Sequence, residues 1–229
     1  MKSLIVKKKT IFIFLIVFVL VGAFCVTYFF VKPTSSPKPK YSIVIDAGHG
    51  GKDGGAVGKS TGVTESELNL MYAKQLAKLC REFGIGVTMT RENMNGLYDE
   101  SAPNKKKSEM EKRRKIINSS GADLMVSIHM NSFPLSSSQG AQVFYANGSE
   151  SGFKLAKSVQ TAICQCFSNA RDYVTVGDYF VLNYSSIPAI LVECGFLSNP
   201  SEEKNLQDQN YCEKFCYNIL AGIISYFEI

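Results

Sequence analysis

Short apolar segments alternate with amphipathic segments along residues 41–229, and this alternation constrains the fold more than any other feature. The short apolar runs predict strands at residues 41–46, 87–90, 124–129, 141–145, 179–182 and 189–192. A 3.6-residue apolar period predicts helices at residues 65–83, 108–119, 151–167 and 201–227. Strands that alternate with helices are typical of α/β proteins. We therefore expect a single three-layer α/β domain in which helices flank a mostly parallel mixed sheet.

The first 40 residues differ in composition from the rest of the chain. Four lysines between residues 2 and 9 precede an uncharged apolar run at residues 11–31. As a helix this run would extend ~31 Å, enough to cross a bilayer, and no small-residue cleavage site follows it. Residues 11–31 are therefore predicted to be a transmembrane signal anchor, with residues 1–10 in the cytoplasm and the domain outside. A linker rich in Pro, Ser and Lys at residues 32–40 would join the anchor to the domain.

Charge is distributed unevenly between these two parts of the chain. The formal net charge is +5, but residues 1–40 contain seven lysines and no acidic residue. The remaining 18 basic and 20 acidic residues give residues 41–229 a net charge of −2. Domains that bind nucleic acids carry a basic surface, so we expect no nucleic-acid partner.

The chain has only two histidines, and each follows an apolar strand at a turn of small residues. His49 lies in Asp46-Ala47-Gly48-His49-Gly50-Gly51, and His129 is followed by Met130-Asn131-Ser132. Open α/β sheets bind their ligands at strand ends, and neutral imidazole is the commonest metal-ligand side chain. One such histidine is usually structural, but two in matching contexts predict a metal site.

The third metal ligand is expected to be a carboxylate. Zinc in a hydrolytic site takes three protein ligands and keeps one position for water, and the chain has no third histidine. The acidic residues near the predicted strand ends are Asp46, Asp53, Glu65, Glu67 and Glu193. Asp46 is better suited to holding the loop that carries His49. Taken alone, Glu65 is equally well explained as a first-turn carboxylate that the helix dipole favours.

Glu193 has a different sequence context from the other carboxylates. It follows the uncharged apolar segment at residues 188–192. A carboxylate at the end of a buried strand is either paired or functional. Beside a metal-activated water it would act as the general base, and then as the acid that protonates the leaving group.

Together these residues fall within a set of motifs that resembles the zinc-dependent N-acetylmuramoyl-L-alanine amidases. The motifs cover residues 46–58, 65–70, 89–91, 113–118, 127–132 and 192–199, in that order. Two positions depart from the family pattern, because Ala47 replaces a common proline and Cys194 replaces a glycine, alanine or valine. Within the family, the predicted anchor, the bare catalytic domain and the sequence of residues 195–202 most resemble the amidases of sporulation.

The resemblance implies a role for each site residue. His49, Glu65 and His129 would bind Zn²⁺, and Glu193 would be the catalytic carboxylate. Glu65 is favoured over Glu67 because the family ligand stands four residues before an Asn-Leu or similar pair, here Asn69-Leu70. Arg113 and Asn131 would bind substrate. Arg113 would either face the carboxylates of the stem peptide or buttress the site, with a surface helix charge as the alternative.

A reaction, a location and partners also follow from the resemblance. The enzyme would hydrolyse the amide bond between N-acetylmuramic acid and L-alanine in peptidoglycan, stripping stem peptides for muramic-δ-lactam formation in the spore cortex. The domain would be anchored in the membrane and would act outside the cytoplasm, facing the cortex in a spore former. No wall-binding module is expected beside the catalytic domain, and the domain is not basic. We therefore expect recruitment by the anchor or by a membrane or lipoprotein partner, with the polar loop predicted at residues 93–107 as the docking element.

Two other functions compete with this interpretation. Residues 53–60 are one residue short of a P-loop, because Asp53 stands where the first glycine belongs. A P-loop also begins at the end of its strand and opens directly into a helix, whereas the predicted strand ends at Asp46 and Thr61-Gly62 follows Ser60. The other alternative is a catalytically silent zinc-binding or cell-wall-binding module with an amidase fold. The presence of all four site residues argues against it.

Overall fold

The computed structural model describes residues 14–22 and 39–228. The chain divides into an N-terminal unit, residues 1–38, and a second unit, residues 39–229. In the first unit, residues 14–22 are helical and their apolar side chains are exposed. The predicted cytoplasmic segment lies outside the described residues, as do most of the predicted anchor and linker. Within the described ranges, no helix has both the length and the apolar character that a bilayer crossing requires.

A six-stranded sheet forms the centre of the second unit. Its strands in chain order are β1 Ser42–Ala47, β2 Gly86–Met89, β3 Leu124–Asn131, β4 Gln142–Tyr145, β5 Thr175–Val176 and β6 Ala189–Phe196. They lie side by side in the order β2-β1-β3-β6-β4-β5. Strands β2, β1, β3 and β6 are parallel, β4 is antiparallel to β6, and β5 is parallel to β4. The expected mostly parallel mixed sheet is therefore confirmed.

Helices cover both faces of the sheet. They are α1 Glu65–Glu82, α2 Lys105–Ser119, α3 Glu150–Cys166, α4 Phe180–Asn183, α5 Pro200–Leu206 and α6 Gln209–Phe227. Because side chains alternate along a strand, Ile43 and Ile45 pack beneath α1, α3 and α6, while Val44 packs with α2 and α4 on the other face. The two apolar cores on either side of one sheet give the three expected layers.

The segment predicted as a strand at residues 179–182 is instead the short helix α4. The Asn183 N–H donates to the Tyr179 carbonyl at 2.9 Å, as in a helical turn. Val181 and Leu182 are both buried against the same side of the sheet. Since a four-residue apolar run has no period that separates a strand from a helical turn, packing decides its conformation.

The closing helix predicted at residues 201–227 is divided into α5 and α6. Asp208 is the N-cap of α6, because its side chain accepts a hydrogen bond from the Tyr211 N–H at 2.8 Å. Strand β5 was not predicted, since its two residues are too few to give a periodic pattern.

Helix α2 begins at Lys105, three residues before its predicted start. The Asn104 side chain accepts a hydrogen bond from the Lys107 N–H at 2.9 Å and is the N-cap. The polar loop predicted at residues 93–107 therefore ends at Asn104.

Strands β3 and β6 extend beyond their predicted ends, and this places Glu193 within the sheet beside His129, which was predicted as the last residue of its strand. Strand β3 continues to Asn131 and β6 to Phe196, so His129 and Glu193 lie within strands. The two residues are direct partners in the parallel β3–β6 register, and the register shifts between His129 and Asn131. The imidazole and the carboxylate thus come from adjacent strands near the middle of the sheet.

Helix α5 ties two loops to the end of β6 through adjacent buried glutamates. Glu202 accepts hydrogen bonds from the Gly140 N–H at 3.0 Å and the Phe196 N–H at 2.8 Å. Glu203 accepts from the Ser60 N–H at 2.9 Å and from the backbone and hydroxyl of the next residue. One loop precedes α1 and the other joins β3 to β4, so a single helix turn fixes both.

Candidate metal centre

The chain turns sharply after β1, and glycine is required at this turn. A Cβ at Gly48 would lie 2.3 Å from the His129 ring, so the absence of a side chain lets that imidazole approach. His49 follows with a φ of 60°, in the left-handed region that residues other than glycine rarely adopt. Gly50 and Gly51 continue with φ values of 131° and 60°. This conformation directs the His49 ring towards the end of β3.

Three predicted ligands meet at this turn. His49 Nε2 lies 3.1 Å from Glu65 Oε1, and His129 Nδ1 lies 2.9 Å from the same oxygen. One ligand atom from each of the three residues lies within 4.8 Å of the other two. Two imidazole nitrogens and one carboxylate oxygen are the donor set that zinc takes in hydrolytic sites. The residues therefore fit the metal that the sequence predicts.

The charges of these residues are coupled. Burial alone would raise the pKa of Glu65, but hydrogen bonds and attraction from His129 and His49 hold the pKa well below its usual range. Burial alone would lower the pKa of His49, but the Glu65 and Asp53 carboxylates raise it above its ordinary value. Glu65 is thus ionised at neutral pH, as a metal ligand must be.

Glu65 and Glu67, which the residues alone did not separate, have different contacts. The second oxygen of Glu65 accepts a hydrogen bond from the Ala56 N–H at 2.9 Å, which orients the carboxylate towards the histidines. Glu67 is exposed and forms a capping box with Thr64, whose N–H donates to Glu67 Oε2 at 2.8 Å. The structure brings Glu65 into the cluster and leaves Glu67 outside it.

Asp53 and Asp46 support the cluster from outside. Asp53 Oδ1 lies 2.9 Å from His49 Nδ1, a close contact without the alignment of a hydrogen bond, and Lys106 contacts the other Asp53 oxygen. This contact leaves His49 Nε2 facing Glu65, as a carboxylate behind a metal-binding histidine does. Sequence reasoning listed Asp53 only as a candidate ligand, and no local pattern reveals its position behind the ring.

Asp46 lies beneath the turn and is fully buried. Its oxygens accept hydrogen bonds at 2.7 Å from the hydroxyls of Thr90 and Ser127, and it pairs with Arg113. Burial alone would raise the pKa of Asp46, but Arg113 and the two hydroxyls lower it to about 2. The geometry matches the loop-holding role inferred from the sequence.

Glu193 lines a cavity that His49, Glu65 and His129 also line. Its Oε2 atom has no hydrogen-bond partner. The side chain is buried, and burial together with the nearby Glu65 charge raises the pKa of Glu193 to about 8. Burying a carboxylate atom without a hydrogen-bond partner costs free energy, so its presence here points to a functional role. The arrangement places beside the three potential metal ligands a carboxyl group that can exchange a proton near neutral pH.

The cavity in front of these residues has a volume of about 530 Å³ and contacts all four of them. Asn131 and Ser132 line it at the end of β3, and Tyr179 and Phe180 line it at the start of α4. The contribution of α4 was missed in the sequence because the segment was taken as a strand. Asn131 is therefore accessible from the space that a substrate would occupy.

Arg113 also lines the cavity, but its side chain is only 1% exposed. Its guanidinium donates to the Ala47 carbonyl at 2.7 Å and to Glu109 at 2.6 Å, and it also contacts Asp46 and the His49 carbonyl. The alternative of a surface helix charge is therefore wrong, because every one of these partners belongs to the protein interior or to the metal-site turn.

The P-loop alternative is not supported by the structure. Residues 53–60 lie within a loop, and helix α1 begins only at Glu65. A backbone bridge pairs Val57 with Thr64, so the glycines do not lead into a helix N-terminus as a phosphate-binding loop requires.

An α/β sheet with a His-Glu-His cluster and a buried glutamate in one cavity is an arrangement typical of hydrolases that use a metal ion. Comparison with known proteins gives the family. The N-acetylmuramoyl-L-alanine amidase family (Amidase_3) matches residues 43–225, and the chain belongs to this family. Its activity is accordingly that of a peptidoglycan amidase, which the resemblance in the sequence implied.

Three relatives with known names are similar to this chain over most of their length. The germination-specific N-acetylmuramoyl-L-alanine amidase of Bacillus subtilis is 36% identical over 200 residues, covering 86% of this chain and 84% of the relative. The CwlD amidase of Clostridioides difficile, solved in complex with the GerS lipoprotein, is 35% identical with a TM-score of 0.78, covering 82% of this chain and 98% of that one. The catalytic domain of CwlV from Bacillus (Paenibacillus) polymyxa is 29% identical with a TM-score of 0.74, covering 82% and 99%. The predicted likeness to sporulation amidases is confirmed.

Proposed function

We propose that this chain is a zinc-dependent amidase that cleaves the bond between the lactyl group of N-acetylmuramic acid and L-alanine. The observation that carries the proposal is the unpaired Oε2 of buried Glu193 in the cavity that His49, Glu65 and His129 also line. Zn²⁺ held by those three residues would polarise the scissile carbonyl and activate a water for attack. A silent binding module would have no need for an unpaired carboxylate at this place.

The proton transfers belong to Glu193. The carboxylate takes a proton from the attacking water, whose oxygen forms a bond to the lactyl carbonyl carbon. When the C–N bond breaks, Glu193 delivers that proton to the departing amine of L-alanine. The products are a lactyl carboxylate on the glycan and a stem peptide with a free amino terminus. A pKa raised towards neutrality suits a group that accepts and then donates a proton.

Asn131 and Arg113 have different proposed roles. Asn131 lines the cavity and offers an amide donor and acceptor, which suits hydrogen bonding to the peptide or lactyl groups of the substrate. The contacts of Arg113 favour the second of its two predicted roles, support of the site, because its guanidinium is bonded to the metal-site turn.

We also propose that the domain acts outside the cytoplasm on the spore cortex, held by a membrane anchor at residues 11–31. The exposed apolar side chains of the helical residues 14–22 support an anchor. The similarity to a germination-specific amidase supports a role in spore peptidoglycan, where stripped muramic acid would feed muramic-δ-lactam formation.

A lipoprotein partner is part of the proposal. The CwlD relative was solved with such a protein, and this chain carries a polar loop at residues 93–104 beside its metal-site turn. The Gly51 N–H donates to the Met94 carbonyl at 2.7 Å, so the loop contacts the turn that carries His49. A partner that orders this loop would stabilise the metal site.

The test is mass spectrometry of peptidoglycan fragments treated with the full chain purified in detergent. We expect free stem peptides and glycan with unsubstituted lactyl groups, formed only when zinc is supplied after chelation. Glu193→Gln should bind zinc and release product about 10²–10⁴-fold more slowly than the parent. Zinc binding by the parent without any cleavage would support the silent module instead, and cleavage at another bond would refute the proposed substrate bond.

A further inference from the structure

We propose that Arg91 and Arg113 form an arginine clamp that holds the backbone of His49 in its left-handed conformation and thereby sets the metal affinity of the site. The two arginines are positioning residues, since they act on the metal through His49. This inference rests on the proposed role of His49 as a metal ligand. It assigns a function to Arg91, which lies in the motif at residues 89–91 without a role there and does not line the cavity.

The turn at His49 needs external support. A φ of 60° is unfavourable for a residue with a Cβ, and such conformations persist only where the surroundings enforce them. The carbonyls of Ala47, Gly48 and His49 follow one another at the end of β1, and each accepts a hydrogen bond from a buried arginine side chain. Left without donors, these buried carbonyls would make the turn unstable.

Arg91 supplies donors on one side of the turn. Its Nε donates to the Ala47 carbonyl at 3.0 Å, and one terminal nitrogen donates to the Gly48 carbonyl at 2.9 Å and the Ser66 carbonyl at 2.8 Å. The other terminal nitrogen donates to the Asn93 carbonyl at 3.0 Å. The side chain is buried, so one guanidinium joins the turn to the first turn of α1, where Glu65 is located.

Arg113 supplies donors on the other side. One terminal nitrogen donates to the Ala47 carbonyl at 2.7 Å and contacts Asp46, while the second contacts the His49 carbonyl and donates to Glu109 at 2.6 Å. The two arginines therefore share the Ala47 carbonyl, and together they provide donors to three consecutive carbonyls. The planar, forked guanidinium is suited to this pattern, and a lysine ammonium is not.

Burying two guanidinium cations side by side costs free energy. Their presence in the interior therefore indicates that the hydrogen bonds they donate are required there. Burial and the neighbouring Arg113 lower the pKa of Arg91 to about 10, which leaves it charged at neutral pH. Asp46 and Glu109 offset the two positive charges. Apolar side chains would fill this space at a lower desolvation cost, but they would remove the arginine donors to the Ala47 and His49 carbonyls and leave the Gly48 carbonyl with Asn69 alone, whose Nδ2 donates to it at 3.1 Å.

The first experiment measures Zn²⁺ affinity of the full chain by competition with a chelator for Arg91→Lys and Arg113→Lys. Arg114→Lys is the matched control, since Arg114 is the next residue on α2, is exposed and pairs with Glu111 at the surface. We expect the two clamp variants to bind Zn²⁺ about 10- to 100-fold more weakly than the parent, as for other residues that orient metal ligands, and the control to be unchanged. Parent-like affinity in both folded clamp variants would overturn the proposal.

A second experiment tests the clamp without metal or activity. The chain has two histidines, so the metal-free protein gives two imidazole signals in NMR spectra, which His49→Ala assigns. We expect Arg91→Lys to shift and broaden the His49 signal while the His129 signal stays close to its parent position. A His49 signal identical to the parent would refute the clamp, even if the parent bound no zinc and the proposed function failed.

Glu109→Gln provides a milder variant if the lysine substitutions prevent folding. Glu109 contacts Arg113 and does not contact the turn, so this change weakens the hold on the guanidinium while keeping it in place. We expect a loss of Zn²⁺ affinity of roughly threefold and a smaller shift of the His49 signal in the same direction. No change in either measurement would count against the clamp.

Discussion

Gly48→Ala tests whether the approach of His129 to the cluster depends on a missing side chain. The new Cβ would lie 2.3 Å from two atoms of the His129 ring. The ring must retreat by about 1.1 Å to reach 3.4 Å, where ordinary van der Waals contact begins. Metal–ligand distances tolerate shifts of only about 0.2 Å, so the retreat removes His129 as a ligand. We expect Zn²⁺ affinity to fall by more than about 100-fold, beyond the usual effect of a supporting residue.

The same substitution should leave the fold intact. The atoms in the way belong to a side-chain ring that can rotate, so the cost to the metal-free protein is that of local overpacking, about 1–3 kcal/mol. Gly54→Ala in the same loop is the control, because its Cβ would meet no atom closer than 3.6 Å. The assays are chelator competition for Zn²⁺ and thermal unfolding of both metal-free variants. Zn²⁺ binding by Gly48→Ala within about threefold of the parent would refute the reasoning.

Three further predictions concern the carboxylates. Glu65→Ala should abolish stoichiometric zinc binding, measured by elemental analysis. Glu67→Ala should retain zinc and lose only about 1 kcal/mol of stability, because it removes the capping box. Loss of zinc from Glu67→Ala with retention by Glu65→Ala would move the ligand to Glu67. Glu193→Gln should keep zinc while turnover of peptidoglycan fragments falls by about 10²–10⁴-fold, and near-normal turnover would exclude it as the general base. Folding lowers the pKa of Asp46 from 3.8 to about 2. The ionised carboxylate therefore stabilises the fold by about 2 kcal/mol, a contribution that is complete above about pH 4 and is lost as the pH falls towards 2. In urea unfolding of the metal-free protein, the parent should lose about that much more stability than Asp46→Asn between about pH 6 and pH 2, and equal losses would contradict the assignment.

The sequence was most informative where local pattern and chemistry coincide. A polar side chain between an apolar strand and a turn of small residues is expected to be either paired or functional. His49, His129 and Glu193 were all selected on that basis. The structure brings these three residues together with Glu65, which the sequence separated from Glu67 only through a family motif. The capping box that occupies Glu67 involves Thr64, three residues away, and was readable in principle.

Long-range pairing could not be read in the same way. Neither the insertion of β6 between β3 and β4 nor the contacts of Arg113 with the turn after β1 leaves a local pattern, because they join segments that are far apart in the chain. The helical turn at residues 180–183 was taken as a strand for a related reason. The four apolar residues 179–182 fit either conformation, and only the sheet against which they pack selects one.

The adjacent glutamates of α5 have a consequence for motion at the cavity. The loop between β1 and α1, which carries His49, is bonded to Glu203, while the loop that follows Asn131 is bonded to Glu202. Both walls of the cavity therefore share one seven-residue helix as their anchorage. A displacement of α5 would therefore be felt in both loops at once, although no residue of α5 lines the cavity.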